Sequence, residues 1–100
     1  MKLSSKEIKN RLSGLNGWKE ENSTLMKTYR FPSYMDGVKF VGQVAEAAEE
    51  ANHHPDLLLR YGQVEVRLTT HDAGGISEKD FQLAQVIETL TAHPVRVSIT

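Results

Sequence analysis

The stretch "DLLLRYGQVEVRLTT", residues 56–70, decides the fold. Runs 56–61 and 63–70 lie on either side of Gly62, and in the second run apolar residues alternate with polar ones. Such alternation is typical of a strand with one buried face, and a glycine between two strands allows a tight turn. We therefore predict a β-hairpin, with His71 at the far end of its second strand, on the face opposite the apolar row.

The residues before this hairpin predict a helix and a second pair of strands. Ser4 and Glu7 have the spacing of a capping box, so a short helix should begin there and end near Gly14. Residues 24–31 have the composition of a strand, and the preceding segment "GWKEEN" is its candidate partner. Two hairpins would together supply four strands.

A second helix is predicted between the two strand pairs. Ser33 and Asp36 can cap its N-terminus. It should run to about Asn52, because Pro55 disfavours helical geometry at the residue before it. This helix carries an apolar stripe that should lie on the sheet. The stripe has two neighbouring lines of residues, the first formed by Val38, Val41, Ala45 and Ala48 and the second by Phe40, Val44, Ala47 and Ala51. Residues 53–54 then lie where the helix gives way to a loop.

A third helix should follow the loop "HDAGGIS", with Ser77 and Asp80 at its start. Its buried side is supplied by Phe81, Ala84, Val86 or Ile87, and Leu90. The pair His93-Pro94 should end it, and residues 91–100 form a C-terminal extension that alternates like a short strand.

The predicted order is helix, strand, strand, helix, strand, strand, helix. This order favours an α+β fold: a four-stranded antiparallel sheet with three helices packed on one face, in a single domain spanning residues 1–100. The other face or an edge strand then needs cover, which favours pairing with a second copy of the chain.

Composition excludes several classes of function. The net charge is −1, from 12 basic and 13 acidic residues, which gives no electrostatic case for a nucleic-acid or membrane partner. No cysteine is present, so disulfides and thiolate–metal sites are excluded. No apolar run approaches the roughly 20 residues of a membrane span, and the N-terminal stretch "MKLSSKEIKNRL" lacks the long apolar region of a secretory signal. We expect the cytoplasm as the location.

Five residues stand out as candidates for chemistry: Glu49, His53, His54, His71 and Asp80. Each has a structural alternative, because a histidine at a helix C-terminus can simply complement the helix dipole and Asp80 can simply be a cap. Two adjacent histidines before a proline are harder to explain in this way, since their side chains point in different directions. A carboxylate one helical turn earlier can orient an imidazole and hold its tautomer.

Proton transfer suits these residues better than metal binding. Zinc sites commonly take two ligands at a spacing such as His-x-x-x-His, adjacent histidines rarely bind one ion together, and no third strong ligand is evident. Imidazole has an ordinary pKa of about 6.5, so two histidines on opposite walls of a cleft can serve as acid and base. The chain offers no cysteine nucleophile, no serine in a nucleophile elbow and no phosphate loop.

The candidate residues form a pattern with fixed spacing along the chain. It consists of Glu49-x-x-x-His53-His54-Pro55, followed at fixed gaps by Tyr61, His71 and Asp80. This pattern resembles the signature of the pterin-4a-carbinolamine dehydratases, and the stretches "TYRFPSY" and "THDAGGISEKD" are similar to that family too. The resemblance covers roughly residues 4–90. It implies a four-stranded antiparallel sheet with three helices on one side, dimers joined at a sheet edge, and tetramers formed through helices in some members.

The resemblance also implies an activity. Family members remove water from 4a-hydroxytetrahydropterin to give quinonoid dihydropterin, which recycles the cofactor of aromatic amino acid hydroxylases without a metal or redox cofactor. The family roles fall on His53 and His71 as acid and base, in an order left open. His54 would bind the pterin, Glu49 would steady the histidine pair, and Asp80 would position either His71 or the pterin ring.

Three features depart from the family pattern. Asn52 replaces an aspartate found in some relatives, Leu57 replaces a tryptophan of animal members, and residues 91–100 extend beyond the usual final helix. Two alternatives remain open: a non-enzymatic assembly or transcription-cofactor module on the same scaffold, and a different pterin substrate. Degenerate members lose the histidines, whereas this chain keeps them.

Overall fold

The computed structural model describes residues 1–90, which form three α-helices, four strands and one short 3-10 turn. In chain order the elements are α1 (Ser5–Leu12), β1 (Lys19–Glu21), β2 (Thr24–Arg30), α2 (Tyr34–Ala51), β3 (Asp56–Arg60), β4 (Gln63–Leu68), the 3-10 turn (His71–Ala73) and α3 (Glu78–Leu90). The predicted α+β class is confirmed. The predicted helix break at His93-Pro94 and the extension 91–100 lie outside the described residues.

The sheet is antiparallel throughout, with strand order β1-β2-β4-β3. The decisive hairpin forms as predicted: Leu59 pairs with Val64, and Gly62 takes a φ of +75° in the turn. Strand β4 also pairs with β2, where Tyr29 lies opposite Val64. The hairpin at 56–70 therefore supplies the central strand that joins both halves of the sheet.

The helices bury one face of this sheet. Along β4 the apolar row is fully buried, as predicted, and consists of Val64, Val66 and Leu68. On α2 the buried line is Gly37, Phe40, Val44 and Ala48, but Ala45 and Ala51 are exposed. The predicted double stripe was too wide, because a helix on a sheet buries only the residues nearest the contact. On α3, Ile87 is buried and Val86 is exposed, so Ile87 is the residue that belongs to the buried side of this helix.

The two edges of the sheet differ in chemistry. Strand β1 has three exposed charged residues, a composition that discourages pairing with another chain. Strand β3 carries three half-buried leucines, and no strand pairs with its outer edge within residues 1–90. Of the two edges, the outer edge of β3 is therefore the one better suited to the expected pairing with a second copy. No helix among residues 1–90 has the length and apolar character needed to cross a bilayer.

A polar cluster ties α3 to β2. Lys27, which interrupts the apolar alternation of β2, places its ammonium 2.8 Å from the Glu88 carboxylate. The same carboxylate oxygen accepts hydrogen bonds from the Trp18 indole, at 3.1 Å, and from the Tyr29 hydroxyl. Burial acts to raise the pKa of Glu88, but these three donors outweigh it and hold that pKa below its usual range.

Candidate active site

The C-terminus of α2 positions the two adjacent histidines. Asn52 takes the left-handed conformation, with φ 51°, which asparagine tolerates better than most residues. The backbone N–H of His53 donates to the carbonyl of Ala48 at 3.1 Å, the 6→1 bond of a Schellman motif. This turn ends the helix at Ala51, and the two imidazoles reach different partners.

His53 points inward, to the first turn of α3. Its Nε2 lies 2.5 Å from Oδ1 of Asp80. The His53 side chain is 12% exposed, and that of Asp80 is fully buried. An ionised carboxylate offers only acceptors, so His53 donates through Nε2 and keeps Nδ1 for another partner. A buried histidine–carboxylate pair of this kind holds an imidazole in one tautomer and one orientation.

The second oxygen of Asp80 is also engaged. Oδ2 accepts hydrogen bonds from the Thr70 hydroxyl at 2.8 Å and from the Ser77 backbone N–H at 2.9 Å. The Thr70 and Ser77 hydroxyls lie 2.7 Å apart. Asp80 therefore both caps α3, as predicted, and supports His53. Thr70 was not among the residues predicted from the sequence, although continuing the alternation of β4 from Leu68 would have placed it on the buried side.

His54 points outward and pairs with Glu49. Its Nε2 lies 2.5 Å from a Glu49 carboxylate oxygen. Both side chains are well exposed, at 56% for His54 and 77% for Glu49. Of the two histidines, Glu49 thus contacts His54, while Asp80 contacts His53. An exposed pair like this adds little to stability but can hold an imidazole over a neighbouring surface.

His71 is not at the end of a strand, and that prediction is wrong. Strand β4 ends at Leu68, and His71 is the first, exposed residue of the 3-10 turn. The chain turns there because the backbone of Thr70 pairs with Gly75, with N–H···O distances of 3.1 and 3.2 Å. Within residues 1–90 no hydrogen bond joins His71 to the other four candidate residues, and the carboxylate of Asp80 meets His53 instead.

His53 also lines a groove of about 310 Å³ between α2 and α3. Its walls include apolar Ala51 and Leu83, with Glu50 and Lys79 as charged groups. That volume lies at the small end of the roughly 300–1,000 Å³ typical of ligand pockets. Residues 1–90 contain no group of three or more His, Asp or Glu side chains placed to hold a metal ion. The arrangement is suited to moving protons on an organic ligand.

Comparison with known proteins identifies the family of this chain. The family model described as pterin 4 alpha carbinolamine dehydratase matches residues 1–90. A protein of Sulfolobus acidocaldarius, provisionally named a pterin-4-alpha-carbinolamine dehydratase, is 46% identical over 87 residues, which are 87% of this chain and 96% of that protein.

Two solved structures share the fold. The crystal structure of a transcriptional coactivator/pterin dehydratase from Brucella melitensis matches with a TM-score of 0.85 and 27% identity, over 89% of this chain and 97% of that one. A pterin dehydratase-like RuBisCO assembly factor of the alpha-carboxysome matches with a TM-score of 0.64 and 24% identity, over 75% and 89%. At that identity the second likeness concerns the fold alone. The chain belongs to the pterin 4 alpha carbinolamine dehydratase family.

Proposed function

We propose that this protein dehydrates 4a-hydroxytetrahydropterin to quinonoid dihydropterin by histidine acid–base catalysis, as a step in tetrahydropterin recycling. The observation that carries the proposal is the pair formed by His53 and the fully buried Asp80. A protein that only docks partners has no need of a buried carboxylate that fixes one imidazole. Membership of the family supports the same conclusion.

The reaction needs one acid and one base. The C4a–O bond breaks and the hydroxyl leaves as water once it is protonated, while N5 loses its proton as the C4a=N5 double bond forms. An imidazole near its ordinary pKa can perform either transfer at neutral pH. His53 and His71 are the two candidates, and the proposal assigns one to each transfer without fixing the order.

The remaining two candidates would bind the substrate. His54 is exposed and held by Glu49, so it can hydrogen-bond or stack on a pterin ring that lies against the end of α2. The exposed carboxylate of Glu49 fixes which His54 nitrogen faces the ligand, because the other nitrogen is engaged. This division leaves the two proton transfers to His53 and His71.

We also propose a homodimer or homotetramer, located in the cytoplasm. Strand β3, which contains Leu57, Leu58 and Leu59, has an outer edge that no strand of residues 1–90 covers, and this edge supports edge-to-edge pairing of two sheets. Sedimentation equilibrium tests this directly: a dimer or tetramer mass agrees with the proposal, and a monomer at micromolar concentration contradicts it.

The activity test generates the substrate in situ with a phenylalanine hydroxylase and follows its loss by absorbance. Wild type should accelerate the loss, and His53→Ala and His71→Ala should each lose about 10²–10⁴-fold in rate, the usual contribution of a general acid or base. His93→Ala, outside the matched range 1–90, is the control histidine and should keep full rate. Full rate in both test variants would contradict the proposal, and a folded but inactive wild type would favour a non-enzymatic assembly or transcription-cofactor module.

A further inference from the structure

The second carboxylate oxygen of Asp80 has hydrogen-bond partners that hold the contact between Asp80 and His53 in place. Oδ1 faces His53, while Oδ2 accepts from the Thr70 hydroxyl at 2.8 Å and the Ser77 backbone N–H at 2.9 Å. Asp80 is fully buried, and Thr70 and Ser77 are 8% and 4% exposed. The whole cluster is therefore shielded from water that could replace a lost hydrogen bond.

These partners fix the plane of the carboxylate. The Ser77 N–H is held by the first turn of α3, and the Thr70 hydroxyl approaches the same oxygen from the end of β4. Two donors on Oδ2 stop rotation about the side-chain bond, so the direction of Oδ1 is set as well. Because Thr70 gives its hydrogen to Asp80, the hydroxyl of Ser77 donates to Thr70, at 2.7 Å.

Thr70 also directly precedes His71, the other histidine proposed for proton transfer. Its backbone N–H and carbonyl both bond to Gly75, which holds the turn containing His71. The backbone bonds keep the turn in place without the hydroxyl. The hydroxyl of Thr70 therefore takes no part in holding this turn, and removing it should leave the position of His71 unchanged.

We propose that Thr70 and Ser77 are positioning residues for the dehydration, acting through Asp80 on His53. Their hydroxyls hold Asp80 so that His53 keeps its hydrogen on Nε2 and presents Nδ1 to the pterin. Within residues 1–90, Nδ1 of His53 has no hydrogen-bond partner, whereas Nε2 is engaged. This inference rests on the proposed dehydratase activity for its kinetic consequence, but not for the state of the imidazole.

The test compares Thr70→Val, which keeps the shape of the side chain, with Thr70→Ser, which restores the hydroxyl. Thr69→Val is the matched control, because the Thr69 hydroxyl donates to the Ser23 carbonyl at 2.8 Å and does not touch Asp80. Two quantities are measured: kcat and KM for the dehydration, and the ¹⁵N chemical shifts of the His53 ring by long-range ¹H–¹⁵N NMR.

We expect Thr70→Val to lower kcat by about 10-fold to 100-fold with little change in KM, as expected for one lost hydrogen bond to a charged group. The ¹⁵N shifts of His53 should move away from the Nε2–H tautomer. Thr70→Ser should restore both, and Thr69→Val should change neither. A folded Thr70→Val with wild-type kcat and an unchanged His53 spectrum would overturn the inference.

Ser77→Ala keeps the test decisive if Thr70→Val does not fold. This variant retains the Ser77 backbone N–H and removes only the hydroxyl that orients Thr70. It should change kcat and the His53 spectrum in the same direction but less. An unchanged spectrum and kcat in Ser77→Ala would then overturn the inference. The NMR result is independent of turnover, so an inactive wild type would refute the dehydratase proposal, while the His53 spectra of the variants would still support or overturn the positioning role.

Discussion

Replacing Asp80 by asparagine should invert the tautomer of His53. The Ser77 N–H can only donate, so the new amide must place its oxygen where Oδ2 was. Its NH₂ group then occupies the position of Oδ1, 2.5 Å from Nε2 of His53. Because this NH₂ is a donor, Nε2 must accept, and the ring hydrogen moves to Nδ1, the atom that we propose faces the pterin.

Asp80→Asn should have a small effect on stability and a large effect on rate. The variant replaces hydrogen bonds to a charged carboxylate by weaker bonds to a neutral amide, which should lower the free energy of unfolding by about 1–2 kcal/mol. In the Ser-His-Asp triad of serine proteases, the same aspartate-to-asparagine change lowers kcat about 10⁴-fold by imposing the wrong tautomer. We expect a fall of about 10²–10⁴-fold for Asp80→Asn, the range of one misplaced general acid or base.

Three measurements test the argument on one preparation: thermal unfolding, kcat for the dehydration, and the ¹⁵N shifts of the His53 ring. Asp72→Asn is the matched control, because Asp72 is an exposed aspartate on the neighbouring 3-10 turn. It should behave as wild type in all three. An Asp80→Asn protein that folds and keeps wild-type kcat would refute the reasoning, and so would one in which His53 retains its hydrogen on Nε2.

The remaining predictions concern the polar cluster, the exposed pair and the helix end. Glu88→Gln should lower stability by about 1–3 kcal/mol at pH 7. Since the folded pKa of Glu88 is depressed, the difference from wild type should vanish as the pH falls through that pKa, and a pH-independent difference in Tm would contradict this. Glu49→Gln should raise KM while changing stability by less than about 1 kcal/mol, because the pair with His54 is exposed; an unchanged KM would count against it. Asn52→Gly should keep Tm and kcat, whereas Asn52→Val should lower both, because valine resists the positive φ that sets the direction of His53; equal Tm values for the two would be the contrary result.

Local chemistry made much of the fold predictable. The capping box of Ser4 and Glu7 forms, with hydrogen bonds in both directions, and Ser33 caps α2 through the Asp36 N–H. The alternation of apolar and polar residues after Gly62 correctly predicted the hairpin of β3 and β4. These features depend on residues three apart in the chain or on a period of two, so a sequence contains all the information they need.

Long-range contacts were the part that local patterns could not supply. Asp80 lies 27 residues from His53 and only nine from His71, yet α3 packs against α2 and brings its carboxylate to His53. Lys27, which interrupts the apolar alternation of β2, pairs with Glu88, which lies 61 residues away. In both cases the partner is selected by how helices pack on the sheet, which spacing along the chain does not encode.

The most direct test of the central claim is the rate at which 4a-hydroxytetrahydropterin disappears with and without this protein. The substrate is generated in situ, circular dichroism confirms that the protein is folded, and the protein concentration is varied well below that of the substrate. We predict a loss rate that rises in proportion to the protein concentration and exceeds the spontaneous rate through many turnovers. A folded protein that leaves the spontaneous rate unchanged at every concentration would contradict it.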